Sequence, residues 1–307
     1  MTEHLATHAE QTIQAGSKSF AVAARLFDPP TRRSVMMLYT WCRHCDDQVD
    51  GQELGRGRHL TDSDVLQRLE AMTHRACAGE PMSEPAFAAL QAVVQQNGLP
   101  ERYLLEHLQG FAMDVGEYQY DTIEDTLTYC YHVAGVVGLM MAWIMGARDE
   151  ATLDRACDLG MAFQLTNIAR DIVEDAAIAR CYLPAAWLRE EGLCAETLAE
   201  PDRRPALARL AGRLIALAEP YYQSAREGLS ALPLRSAWAI ATALAVYREI
   251  GLEVRSRGAS AWDERVSTSK ADKLRLLAWG AGAALGSRYR KPSPRLPELW
   301  NRPPNGV

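Results

Sequence analysis

The chain has 307 residues, 48 % of them hydrophobic and 23 % charged, with a formal charge of −6 at pH 7. Length and composition suit a globular protein with a sizeable core, built as one large domain or two ordinary ones. The acidic balance excludes general nucleic-acid binding, which needs a basic stripe, and makes an anionic phosphate a poor partner unless metals intervene.

Alanine and leucine abound and β-branched alternation is nearly absent, so the periodicity and the Gly/Pro punctuation predict helices throughout. They fall at 5–26, 31–51, 63–78, 84–97, 101–118, 124–146, 150–176, 205–229, 234–257 and 270–286. Asp28-Pro29-Pro30, Gly98-Leu99-Pro100, Pro201 to Pro205 and Leu232-Pro233 set several of these boundaries. The start, Met1-Thr2-Glu3-His4, lacks the basic-then-apolar order of a signal peptide. In the first helix, Ser17-Lys18-Ser19 taken alone reads as a helix cap.

The second helix carries Tyr39, Arg43, Asp46 or Asp47, and Asp50 along one face. It also holds Cys42-Arg43-His44-Cys45, a CxxC with no second ligand pair, which reads as two small core residues. Seven scattered cysteines, an odd number, predict reduced thiols in a cytoplasmic compartment. His44 and His132 have no spaced partner histidine and read as structural. On the fifth helix, Asp114 and Glu117 read as an exposed pair. The apolar run Val133 to Ala147 is broken by glycines and shorter than the ~20 residues a membrane span needs. It predicts a helix buried on all sides.

In the helix at 150–176, Gln164, Asn167, Asp171 and Asp175 follow a spacing of 3, 4 and 4, so oxygen donors suited to a hard cation share one stripe. Arg170 lies beside it, placed to bind a phosphate oxygen. Segment 177–204 predicts an irregular loop over a site. Tyr247 alone reads as an interface aromatic, and Arg265, Lys270 and Lys273 as a solvated basic face. The tail at 291–307 holds five prolines and predicts an extended or disordered segment behind a single domain over 1–290.

Asp46 and Asp50 recur as Asp171 and Asp175, each 125 positions later. Carboxylates one turn apart repel unless a cation lies between them. Two such helices facing each other across a cavity predict a metal site of the helical-bundle kind, holding a phosphate-bearing substrate.

An ordered set of strings makes this expectation specific. Ser17-Lys18-Ser19-Phe20, the block from Tyr39 to Asp50, and the stretch from Tyr129 to Gly135 come first. The block from Gln164 to Asp175, then Tyr182-Leu183-Pro184 and Arg265-Val266-Ser267, complete it. On these residues the chain resembles the head-to-head prenyl synthases of the squalene/phytoene synthase family. The resemblance implies an all-α, single-domain bundle of the isoprenoid synthase type around a deep apolar cavity, with both aspartate motifs at its mouth. It implies that Asp46, Asp50, Asn167, Asp171 and Asp175 hold Mg2+ or Mn2+ bridging to diphosphate. It further implies that Ser17, Lys18, Ser19, Tyr39, Arg43, Gln164, Arg170, Tyr247 and Arg265 contact the diphosphate or the adjoining chain. Tyr129 would face the reacting carbons.

The implied reaction joins two geranylgeranyl diphosphates through a cyclopropyl (prephytoene) diphosphate to the C40 hydrocarbon phytoene, in carotenoid biosynthesis and without NADPH. The family's C30 reaction, from farnesyl diphosphate to dehydrosqualene or squalene, is the alternative. A non-catalytic helical scaffold, the third reading, would have lost ligands that are intact here. Losing diphosphate to form a carbocation needs a Lewis acid and cationic clamps, and the cation then needs π-faces and dry walls. The expected partners are prenyl diphosphates, a transient membrane surface and the next carotenoid enzyme, with no nucleic acid. The expected place is the cytoplasm, peripheral on the inner face of the membrane.

Overall fold

The computed structural model describes residues 2–16, 23–51, 64–116 and 118–303. Ser17, Lys18 and Ser19 lie outside the described residues. Among the described residues there is no strand. In chain order the helices are α1 (Thr2–Gly16), α2 (Pro29–Asp50), α3 (Val65–Cys77), α4 (Pro85–Asn97), α5 (Glu101–Val115) and α6 (Ile123–Cys130). A π-helical turn (Tyr131–Gly135) leads into α7 (Val136–Ile144), followed by α8 (Glu150–Ala176), α9 (Ala185–Glu190), α10 (Arg204–Glu227), α11 (Leu234–Arg257) and α12 (Lys270–Gly286).

Local signals set most of these limits. Asp28 accepts from the Thr31 N–H at 3.2 Å and Pro29 opens α2, while Gly51, at φ 60°, closes it. Asp149 caps α8 through the Thr152 N–H at 2.9 Å, and Ser269 with Asp272 forms a capping box at α12. The expected loop at 177–204 contains the short α9 and 3-10 turns at Ala195–Thr197 and Pro201–Arg203.

The helix expected at 124–146 is not uniform. The Val136 N–H reaches back to the Tyr131 carbonyl, five residues away, so one turn is widened. The cause is tertiary. At Gly160 of α8 a Cβ would come within 2.1 Å of the Ala134 oxygen, and at Gly138 a Cβ would come within 2.2 Å of the Ala156 oxygen. Two backbones therefore touch here, which only glycine allows. The helix Ile123–Ile144 is long and apolar enough to cross a bilayer, yet 61 % of its most apolar stretch is buried inside the bundle.

The central helix α8 packs on α7, the π turn, α10 and α11, whereas α2 packs on α1 and α4. The two acidic faces thus come from separate walls. Tyr39 of α2, Val133 and Val137 of the π turn and α7, Phe163 of α8 and Tyr247 of α11 are partly buried and pack against the core.

From Lys291 through Pro303 the proline-rich tail carries no helix and contacts the bundle. Arg295 places two nitrogens on the buried Asp158 of α8 at 2.8 and 2.9 Å. Trp300 packs on Tyr131, with ring centroids 4.9 Å apart, and donates its N–H to the Tyr221 hydroxyl at 3.1 Å. A carboxylate buried on a central helix requires such a partner, and this one supplies it.

Candidate active site

On α2, Arg43 bridges its own turn, with Asp46 at 2.9 Å and Asp47 at 2.6 Å. Burial pushes the Asp46 carboxyl up to about 7 against the pull of Arg43, with Asp50, Asp47 and Asp114 adding to the rise. Its side chain is still 39 % open, so water in the cleft moderates that rise. Tyr39, one turn earlier, is pushed up to about 12 by burial and feels both Arg43 and Tyr247 of α11.

On α8, Arg170 grips Asp171 with two nitrogens, at 2.7 and 2.5 Å. Arg265 adds a third bond to Asp171 at 2.9 Å and reaches Glu174 at 2.8 Å. Asn167 donates to Gln164 at 3.3 Å, while its amide oxygen is buried and has no partner. Burial raises Asp175 to about 7, helped by Asp171. Tyr247 stacks on Phe163 at 4.1 Å and lies in the field of Arg170, Asp171 and Arg265.

Arg180 links the two walls and was not singled out from sequence. It pairs with Asp50 of α2 and its charge also reaches Asp175 and Asp114. The residue before it, Ala179, has φ 61°, a left-handed conformation that costs a non-glycine residue about 1 kcal/mol. That turn ends α8 and aims the guanidinium inward. The available signal was its position, a lone cation directly ahead of Cys181-Tyr182-Leu183-Pro184.

Beneath the acids lies an aromatic box. Tyr129 and Tyr182 stack 4.5 Å apart, and Tyr120 meets both edge-on at 5.7 and 5.6 Å. Both stacked tyrosines donate to one carboxylate, Asp114, at 3.2 and 2.9 Å. The expected exposed pair is thus corrected. Asp114 turns inward to receive two buried hydroxyls, and Glu117 lies outside the described residues. Burial lifts the Asp114 carboxyl to about 6, against Arg180 and the two tyrosines.

This has a measurable sign. Between about pH 4 and 6 the folded carboxyl keeps a proton that the unfolded chain has lost, so wild-type stability falls as pH rises through that window. Asp114→Asn removes the slope and can still accept both hydroxyls. Its stability relative to wild type should rise by at most ~3 kcal/mol between pH 4 and 7, followed by urea denaturation at each pH. A flat difference across that range counts against a raised Asp114.

The CxxC cysteines are packed. Burial raises the Cys42 thiol to about 12 and Cys45 well above its ordinary value, so neither is a thiolate at neutral pH. His44 sits edge-on to Phe87 at 5.6 Å, and His132 bonds the Glu106 carbonyl at 2.9 Å.

Among the described residues, no three carboxylate, thiol or imidazole groups enclose a metal by themselves. The donor set nonetheless fits a hard cation. Asp46 and Asp175 are crowded by like charge, and the orphaned Asn167 oxygen has an unmet need for a positive partner.

The squalene/phytoene synthase profile matches residues 13–272, and the chain belongs to that family. It is 59 % identical over 303 residues to the 15-cis-phytoene synthase of Pantoea ananas, covering 97 % of this chain and 98 % of that one. It is 57 % identical over 303 residues to the phytoene synthase of Pseudescherichia vulneris, with the same coverage. Among solved structures, a ligand-bound dehydrosqualene synthase superposes with a TM-score of 0.84 at 28 % identity, over 93 % of this chain and 98 % of the other.

Proposed function

We propose that this chain is a phytoene synthase, joining two geranylgeranyl diphosphates head to head. The observation that carries the product choice is the 59 % identity, over nearly the whole of both chains, to an enzyme of that name. The geometry supports the chemistry. Asp46 and Asp50 on one wall, and Asn167, Asp171 and Asp175 on the other, would hold Mg2+ or Mn2+. Such ions supply Lewis acidity to the departing diphosphate.

The chain's own residues do the rest. Arg43, Arg170 and Arg265, which pair with the acidic faces, would take diphosphate oxygens, with Tyr39, Gln164 and Tyr247 beside them. Ser17, Lys18 and Ser19 complete the set by family resemblance. Tyr129, stacked on Tyr182 and held by Asp114, offers π-faces to an allylic cation without a free base to quench it. The first half-reaction forms the cyclopropyl diphosphate and releases one diphosphate and one proton. The second breaks the remaining C–O bond, rearranges the ring, and releases another of each. Released diphosphate or a tyrosine accepts the last proton. No hydride enters, so NADPH is not required.

Substrate and product are lipids, so the enzyme works against a membrane surface on its inner face, handing phytoene to the next carotenoid enzyme. The test is product analysis with geranylgeranyl or farnesyl diphosphate and magnesium, with and without NADPH. A C40 hydrocarbon from the C20 substrate is expected without NADPH. An exclusively C30 product, or an NADPH requirement, overturns the reading in favour of a dehydrosqualene or squalene synthase.

A further inference from the structure

Large apolar side chains are exposed at nine positions among the described residues, and six of them lie in α11, α12 and the segment that follows. They are Leu234 at the start of α11, Leu274, Trp279 and Leu285 on α12, and Tyr289 and Leu296 just beyond. Helix α12 packs on α11 through Leu276, Gly280 and Ala284, all buried; a Cβ at Gly280 would meet the Thr242 hydroxyl at 2.4 Å. The exposed positions Ala271, Leu274, Ala278, Gly282 and Leu285 recur every three or four residues, so they form one outward stripe. Leu274 is 69 % exposed and Tyr289 89 %. Apolar side chains left facing water contribute nothing to the fold, so folding does not explain the stripe.

Charge identifies what covers it. From Lys270 to Lys291 there are six cations and one anion, a local charge of +5 on a chain whose total is −6. The anion, Asp272, is engaged in the Ser269 cap. Lys270, Arg290 and Lys291 are exposed and form no ion pair among the described residues. An apolar stripe with cations at both ends fits an anionic bilayer surface, where side chains enter the acyl boundary and cations meet headgroups. A second copy docking through the same face would bring the unpaired cations Lys270, Arg290 and Lys291 against a surface of the same sign.

The position also suits the site. Arg265, bonded to Asp171 and Glu174 at the acidic mouth, precedes Lys270 by five residues, a reach of at most about 17 Å. We propose that the outer face of α12, with Tyr289 and the basic residues at its ends, is the surface that docks this protein on anionic lipid, setting the diphosphate site beside the headgroup layer. The need for a bilayer rests on the lipid substrates of the proposed reaction; the choice of face does not.

The test is sedimentation of the full chain with vesicles containing phosphatidylglycerol and with pure phosphatidylcholine vesicles. Binding is expected to the former, falling as salt rises. The pair Leu274→Glu/Leu285→Glu should weaken it about tenfold or more, with melting temperature and turnover on detergent-dispersed substrate unchanged. Lys270→Glu/Lys291→Glu, which leaves the apolar stripe intact, should abolish the preference for phosphatidylglycerol. Wild-type-like binding by both pairs overturns the proposal, as does failure of the wild type to bind. A wild-type dimer that the leucine pair converts to monomer overturns it in favour of a second copy. Detergent turnover reports on the phytoene reading alone, so either reading can fail without the other.

Discussion

Asp171→Asn should lower turnover by about 100- to 1000-fold while helix content and cooperative unfolding persist. Asp171 is the most heavily engaged carboxylate of the mouth, taking two bonds from Arg170 and one from Arg265. The amide removes one negative charge from the donor set and turns N–H groups toward guanidinium groups that need an acceptor. Arg170 also lies in the field of Glu174, so the fold keeps a counterion for it. Product formation at saturating magnesium, beside circular dichroism, checks both halves. A variant within about twofold of wild type would remove Asp171 from the proposed metal set.

Gly160→Ala should cost about 2–4 kcal/mol of stability. The new methyl would lie 2.1 Å from the Ala134 oxygen and 2.5 Å from its carbon, atoms of a backbone that cannot step aside as a side chain would. The α8 crossing and the π turn must separate, opening the packing behind Tyr129 and Tyr131. Alanine's better helix propensity returns only about 1 kcal/mol of this. Gly212→Ala in α10, where nothing lies within 4 Å of the added carbon, is the control and should be neutral or slightly stabilising. Urea unfolding of both variants measures the contrast, and equal effects would remove backbone contact as the reason for Gly160.

What could be read from the chain alone follows the range of each signal. The limits of α8, α11 and α12 agree with expectation because their caps, Asp149, Pro233 and Ser269 with Asp272, are neighbours of the helices they start. The acidic faces were legible because repeated like charge is costly and therefore conspicuous. The π turn was not, since its cause lies in α8, more than twenty residues away. Asp114 carries the same local pattern as a solvated acid, and only Tyr129 and Tyr182 arriving from other segments distinguish it. Arg180 sits in a loop without periodicity, and proline content says that the tail is extended but not that Arg295 will find Asp158.

That last pairing also bears on how the chain matures during synthesis. Asp158 and Arg295 are 137 positions apart. At about 5–20 residues per second, the ribosome delivers the guanidinium roughly 7–27 s after the carboxylate. Until then Asp158 has the Ser224 hydroxyl of α10 but lacks the guanidinium that pairs with it in the finished fold. Sealing of the tail is therefore a late step of maturation, and it locks a helix whose other end holds the acidic stripe.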